Sequence, residues 1–148
     1  MIKSELSIVI DAPPERVFAR IVDHTSKPED WPSIVAIKDI GGEGLGSRVT
    51  VVYKMLGMPL EIKATCTEYV ANKRVASEIK GGINARDCAT LEPCGGGTKL
   101  TYSVEYAVPV PLVGKIAEHL LKRQNERDGE VWLANLKARV ESQVKADA

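Results

Sequence analysis

The chain has no excess of charge of either sign: 20 Lys plus Arg stand against 20 Asp plus Glu, a formal net charge of +0 at pH 7. Nucleic-acid binders normally carry a basic surplus, so no nucleic-acid partner is expected. Aromatic residues are scarce at 5%, with one Phe, two Trp and four Tyr. Few large side chains are therefore available to fill an interior. Cysteine is limited to Cys66, Cys88 and Cys94, an odd number without CxxC spacing, and His24 and His119 stand at no metal-ligand distance from them. Neither a disulfide framework nor a zinc site follows, and neither a metal nor another cofactor is expected. Reduced thiols in a cytoplasmic protein are the expectation. Long hydrophobic runs are also missing. The longest nearly uncharged stretch, 106–114, is too short to cross a bilayer and contains Pro109 and Pro111. The opening Met1-Ile2-Lys3-Ser4-Glu5 has no apolar core, so no signal peptide is read there.

The composition that remains, 44% hydrophobic and 27% charged over 148 residues, is that of an ordinary globular chain. Without repeats or linkers, it reads as a single domain, 1–148. Leu6, Ile8 and Ile10 alternate with Glu5, Ser7 and Val9 and predict a strand over Ser4 to Ile10. Pro13-Pro14-Glu15 then starts a helix whose apolar stripe is Val17, Phe18, Ile21 and Val22. A second short helix is expected around Ser26 to Asp30, closed by Trp31-Pro32. Strands follow at Ile34 to Ile40, Arg48 to Leu56, Leu60 to Cys66, Arg74 to Lys80, Ile83 to Glu92 and Lys99 to Val108. Turns fall at Gly41 to Gly46, Gly57-Met58-Pro59, Asn72-Lys73, Gly81-Gly82 and Pro93 to Gly97. Consecutive strands with short turns make an antiparallel meander. After Pro111 the period becomes helical, from Val113 through Leu120, Leu121, Trp132, Leu133 and Leu136 to Val140. Lys122 to Glu130 has no apolar side chain, so the helix either bends and is solvated there or continues with a special purpose.

Six or seven strands span roughly 30 Å, whereas one helix is about 10 Å wide. The sheet must curl around the C-terminal helix, with the short helices plugging one end. Its inward face includes the small residues Ala64, Cys66, Ser77, Ala85 and Ala89. These leave an apolar cavity, unless Met55, Met58, Tyr102, Tyr106 and Trp132 fill the space.

Several segments in this order resemble the SRPBCC (START/Bet v 1-like) superfamily, in its polyketide cyclase/dehydrase-like branch. They are Ile8 to Phe18, Trp31-Pro32, the glycine-rich loop before Ser47-Arg48-Val49, Leu91-Glu92-Pro93 with Gly96 to Tyr102, and Asn135 to Glu141. The resemblance covers the chain and implies an α+β helix-grip fold: a curved antiparallel sheet of six to seven strands around a long C-terminal helix, with two short helices after strand one. It also implies a hydrophobic pocket. The fold serves carriers, receptors and enzymes, so it leaves the chemistry open.

The expected function is binding or transport of an apolar small molecule, such as a lipid or polyketide. A cyclase or dehydratase using the same cavity is a second reading, and an interaction module with an incidental cavity a third. Expected lining residues are Tyr53, Met55, Leu60, Ile62, Tyr102, Tyr106, Leu121, Asn125, Gly129 and Trp132. Gly129 costs helix stability, so it is expected either to make room for ligand beside a polar contact from Asn125 or Asp128, or to lie in a bent, solvated stretch. Asp87 shares the parity of Ala85 and Ala89 and is the candidate for proton transfer. Because a buried carboxylate is costly, a bulge turning Asp87 outward, toward Arg86 or Arg74, is the expected arrangement. Gly41 to Gly46 reads as a hairpin, since it opens no helix and lacks the Lys-Ser/Thr of a phosphate loop. His24 and His119 are expected on the surface, with no nucleophile at triad spacing.

Overall fold

A computed structural model describes residues 2–107 and 115–148. Strand β1 (Ile2–Ile10) leads into helix α1 (Pro14–Val22), a 3₁₀ turn (His24–Ser26) and the short α2 (Lys27–Asp30). Strands β2 (Ile34–Gly41), β3 (Arg48–Met55), β4 (Met58–Val70), β5 (Arg74–Gly81), β6 (Asn84–Cys94) and β7 (Gly97–Ala107) precede α3 (Lys115–Ala146). Val108 and Val113, the expected ends of the last strand and start of the long helix, lie outside the described residues.

All seven strands form one antiparallel sheet in the order β1-β7-β6-β5-β4-β3-β2. Two expected turns shift. Leu56 and Gly57, with φ of 49° and 81°, form the two-residue β3–β4 turn, a left-handed pair that suits a hairpin's twist; Met58 and Pro59 are already in β4. Pro93 belongs to β6, paired with Thr98, and the reversal falls at Gly95-Gly96. Pairing of β5 with β6 stops at Arg74↔Thr90, so beyond it β6 has one neighbour and tolerates proline. A register shift between Cys66 and Glu68 bends β4 and increases local twist.

Helix α1 buries Val17, Phe18 and Ile21, the stripe expected from its spacing. Helix α3 is unbroken from Lys115 to Ala146, so the polar stretch Lys122 to Glu130 neither bends away nor breaks. Its polar side chains grip the sheet. Leu56 N donates to Gln124 Oε1 (2.7 Å), Gln124 Nε2 donates to the Lys54 carbonyl (2.9 Å), and Ser4 Oγ donates to Glu126 Oε1 (3.4 Å). Gly129 permits close packing: a Cβ there would lie 2.7 Å from Leu6 Cδ1 on β1.

The apolar interior divides in two. One cluster joins α1, β1, β6, β7 and the C-terminal half of α3 through Ile10, Val17, Phe18, Leu91, Leu100, Trp132, Leu133, Leu136 and Val140. The other gathers Val49, Val51, Ile62, Ile83, Val104 and Tyr106, with Tyr53, Met55, Leu60, Ala64, Ile79 and Ala85 beside them. Among the described residues, none from α3 belongs to the second cluster, because α3 packs chiefly on β1, α1 and α2.

Candidate functional site

Between the two clusters runs a polar row. Cys66, Ser77 and Asp87 are successive cross-strand partners on β4, β5 and β6, and the row continues through Val104 to Ser4. The β6–β7 register is unbroken from Asn84↔Ala107 to Cys94↔Gly97. The expected bulge therefore lies on β4 rather than near Asp87, and the carboxylate points inward, not toward Arg86 or Arg74. Tyr102 Oη donates to Asp87 Oδ2 at 3.1 Å. Burial raises Asp87 above the ordinary carboxylate value, while nearby Lys27, the Tyr102 hydroxyl and the Ser77 backbone amide pull it down. Burial also raises the Tyr102 phenol, and the Asp87 charge and hydrogen bond add to the effect.

Lys27, on α2, lies within electrostatic reach of this row. Its ammonium is near enough to Asp87 on β6, Asp23 before α2 and Cys66 on β4 to be favoured by all three, yet burial outweighs them and lowers its pKa. Lys27 and Asp87 do not approach within the 4.0 Å of an ion pair. His24 is half-buried, not on the surface as expected: its Nδ1 has no partner among the described residues. Burial, then Lys27, lowers its pKa. His119 is exposed, as expected.

Aromatic rings flank the row. Trp31 and Trp132 lie 4.9 Å apart between centroids, Tyr102 and Trp132 4.9 Å, and Trp31 and Tyr102 5.8 Å. A second polar group ties α3 to β3: Asp128 Oδ2 accepts from Ser33 Oγ (2.6 Å), Tyr53 Oη (2.8 Å) and Gln124 Nε2 (3.3 Å). Burial, then Asp128, raises the Tyr53 phenol. Trp31 Nε1 lies near enough to Tyr53 to influence it but does not reach hydrogen-bond geometry.

The residues expected to line a cavity separate into groups. Tyr53, Tyr102 and Trp132 meet around Trp31 and Asp128. Met55, Leu60, Ile62 and Tyr106 belong to the second cluster. Tyr106 Oη has no hydrogen-bond partner among the described residues, and burial with Glu126 and Glu118 nearby pushes its pKa up to about 12. Leu121 and Gly129 are buried and Asn125 half-buried on α3. Gly129 meets Leu6, and Asp128 is engaged with the sheet.

Accessibility differs across the concave face. Ala89, Leu91 and Leu100, under the C-terminal half of α3, are sealed. Ala64, Ser77, Ile79, Ala85 and Asp87 retain accessible surface although they point inward. A groove of about 620 Å³ lined by Lys3, Glu5, Arg74, Glu78, Arg86 and Glu105 mixes both charges, and Ser4, Ser77, Asp87 and Val104 of the polar row also line it.

Lys27, Ser33 and Asp30 were not predicted as interior residues. Lys27 and Asp30 lie in a four-residue helix, too short to show a periodic face. The Trp31-Pro32 landmark beside them was the only local sign.

The arrangement defines a class, the helix-grip proteins, in which a curved sheet holds one long helix. The sequence matches the family "Polyketide cyclase / dehydrase and lipid transport" over residues 1–141, and the chain belongs to that family. No curated protein matches it in sequence. Solved structures share its fold. Protein TTHA0849 from Thermus thermophilus superposes with a TM-score of 0.85 at 20% identity, covering 96% of this chain and 99% of that one. Zhui aromatase/cyclase from Streptomyces sp. R1128 gives 0.82 at 14% identity, covering 99% and 98%. A START superfamily protein from Mycobacterium smegmatis gives 0.79 at 14%, covering 95% and 98%. Among the described residues, no helix is long and apolar enough to cross a membrane.

Proposed function

We propose that the protein binds an apolar small molecule in a cavity between the concave faces of β3 to β6 and the N-terminal half of α3. The observation that carries this reading is the contrast in accessibility. Inward residues of a filled core are sealed, as Leu91 and Leu100 are, whereas Ala64, Ile79 and Ala85 remain accessible. The lining is mainly aliphatic, with a few polar groups gathered at one edge, the usual composition of a small-molecule site. Membership in a family named for lipid transport and polyketide cyclisation supports the same class of ligand. The three thiols, none paired with another, suit a reducing compartment such as the cytoplasm.

Ala85→Phe provides the test. If the space is open, the ring fills it: binding of the neutral apolar probe N-phenylnaphthylamine is lost and stability is maintained. If the core is already filled, overpacking costs about 1–3 kcal/mol, and that result contradicts the proposal.

A second reading, cyclisation or dehydration of a bound polyketide, is favoured by one observation: the inward Asp87 bonded to Tyr102. A carboxyl group raised by burial can exchange protons with an enolisable substrate near neutral pH. Turnover of a poly-β-ketone analogue that survives Asp87→Asn unchanged removes Asp87 from that role.

A further inference from the structure

We propose that the ligand carries an uncharged oxygen acceptor, a ketone or ester carbonyl, seated between Tyr106 on β7 and Asn125 on α3. This rests on the cavity reading above and deepens it.

Tyr106 stands near the end of β7, where it pairs across the sheet with Ile2 on β1 and Ala85 on β6. It belongs to the second aliphatic cluster, with Ile83, Val104 and Ala85 about it. The residue is 3% exposed, and its buried Oη has no hydrogen-bond partner among the described residues. An unpaired buried hydroxyl is destabilising, and a phenylalanine would fill the same place without that penalty. Asn125 approaches from the opposite wall. It lies one helical turn after the buried Leu121 and one turn before Gly129, which packs on Leu6 of β1, so it shares their inward face. Its neighbour Glu126 accepts from Ser4 Oγ of β1 at 3.4 Å, and Ser4 is two residues from Ile2, which pairs with Tyr106. These anchors set Asn125 over the same end of β1 and β7. Gln124, Glu126 and Asp128 around it are all engaged by the sheet. The half-buried Asn125 amide makes no hydrogen bond among the described residues.

Two polar groups thus border one aliphatic space from opposite sides, and neither has a partner there. Both can donate, the phenol through Oη and the amide through Nδ2. Burial, with Glu126 and Glu118 nearby, pushes the phenol up to about 12, so the hydroxyl keeps its proton at neutral pH. A carbonyl oxygen has two lone pairs and accepts from both groups, while its hydrocarbon lies over the accessible inward residues Ala64, Ile79 and Ala85. Neither donor is charged. A carboxylate held by these two alone would be buried without a counter-ion, which is costly, and a plain hydrocarbon would leave both donors unpaired.

The test uses 2-acetylnaphthalene and 2-isopropylnaphthalene, which share a shape and differ in the acceptor. Both compete with N-phenylnaphthylamine for the full chain, for Tyr106→Phe and for Asn125→Leu at pH 7. Comparing the ratio of the two affinities between proteins cancels the cost of taking each probe out of water. Each substitution is expected to lower the ketone's relative affinity about 3- to 10-fold and to leave the hydrocarbon within about twofold. The infrared carbonyl stretch of the bound ketone should lie at lower frequency in the parent than in Tyr106→Phe, a difference that a merely structural tyrosine does not produce. Tyr106→Phe is expected to melt no lower than the parent. A fall of more than about 4 °C would show the hydroxyl already paired in the free chain and overturn the assignment. A ratio unchanged in either variant, with both probes still bound, overturns the seat between the two residues alone. If neither probe nor N-phenylnaphthylamine binds the parent, the cavity reading fails together with it.

Discussion

Asp30 gives the sharpest structural prediction, because it fastens the plug that carries Lys27 and Trp31. Its side chain is 2% exposed. It receives Arg20 in two contacts, Nε to Oδ2 at 2.7 Å and a terminal nitrogen to Oδ1 at 2.9 Å, and Arg139 Nε at 2.7 Å from α3. Asn135 Nδ2 donates to its carbonyl at 2.9 Å. One carboxylate thus joins α1, α2 and α3. The hydrogen bond to Asp30 is also the largest influence raising Arg20 above its ordinary value. Asp30→Asn keeps the shape and removes the charge. Arg20, 13% exposed, would be left without its main counter-ion, and breaking a buried pair from one side costs about 3–5 kcal/mol. Arg139 is 46% exposed, so water compensates most of its loss. Glu29, 3.2 Å from Arg20 and 58% exposed, offers partial replacement. The expected cost is therefore near the low end, about 3 kcal/mol, or a fall in Tm of roughly 6–12 °C for a chain of this size. Urea and thermal unfolding monitored by circular dichroism measure it, with Arg139→Ala as a control expected to cost under about 1 kcal/mol. A loss below about 1 kcal/mol for Asp30→Asn would refute the view that this carboxylate holds the plug.

Two further outcomes follow from the same geometry. Burial raises Asp87 above its ordinary 3.8, so its stabilising contribution is complete below that unfolded value and is lost as pH climbs through the raised folded value. Asp87→Asn, which cannot ionise, should be more stable than the parent at pH 7, with an advantage that vanishes below about pH 4; an advantage independent of pH contradicts this. Gly129→Ala sets a helix gain of about 1 kcal/mol against a Cβ placed 2.7 Å from Leu6 Cδ1, where overpacking costs about 1–3 kcal/mol. A net loss is expected in the parent and a gain of about 1 kcal/mol in a Leu6→Ala background; the same sign in both backgrounds would show that the two residues do not compete for space.

Strand order and most strand positions could be read from the sequence, because alternation reports which face is covered and that signal is plain in β1, β3, β4 and β7, although not in β2 or β5. The turns at Leu56-Gly57 and Gly95-Gly96 were displaced by a few residues, since proline at 59 and 93 reads as a breaker until the lack of a second neighbouring strand is known. The site was less legible. Asp87 has the right parity in the sequence, but whether a buried carboxylate is tolerated depends on Tyr102 and Lys27, partners 15 and 60 positions away along the chain. Lys27 itself sits in a helix of one turn, where no periodicity marks an inward face. Gly129 stood out as an unusual mid-helix residue, yet the sequence could not show that its neighbour is Leu6. Asp30, a fully buried charge, looked like one more polar residue at the end of a short helix, because the three helices it joins come together only in the folded chain.

The central claim is that the concave interior holds an apolar ligand. Native mass spectrometry of the protein purified without detergent, followed by organic extraction, tests it most directly. The account predicts a species heavier than the polypeptide by one small apolar molecule, or stoichiometric uptake of 2-acetylnaphthalene by the stripped protein. A bare polypeptide mass together with failure to take up either 2-acetylnaphthalene or N-phenylnaphthylamine would contradict it.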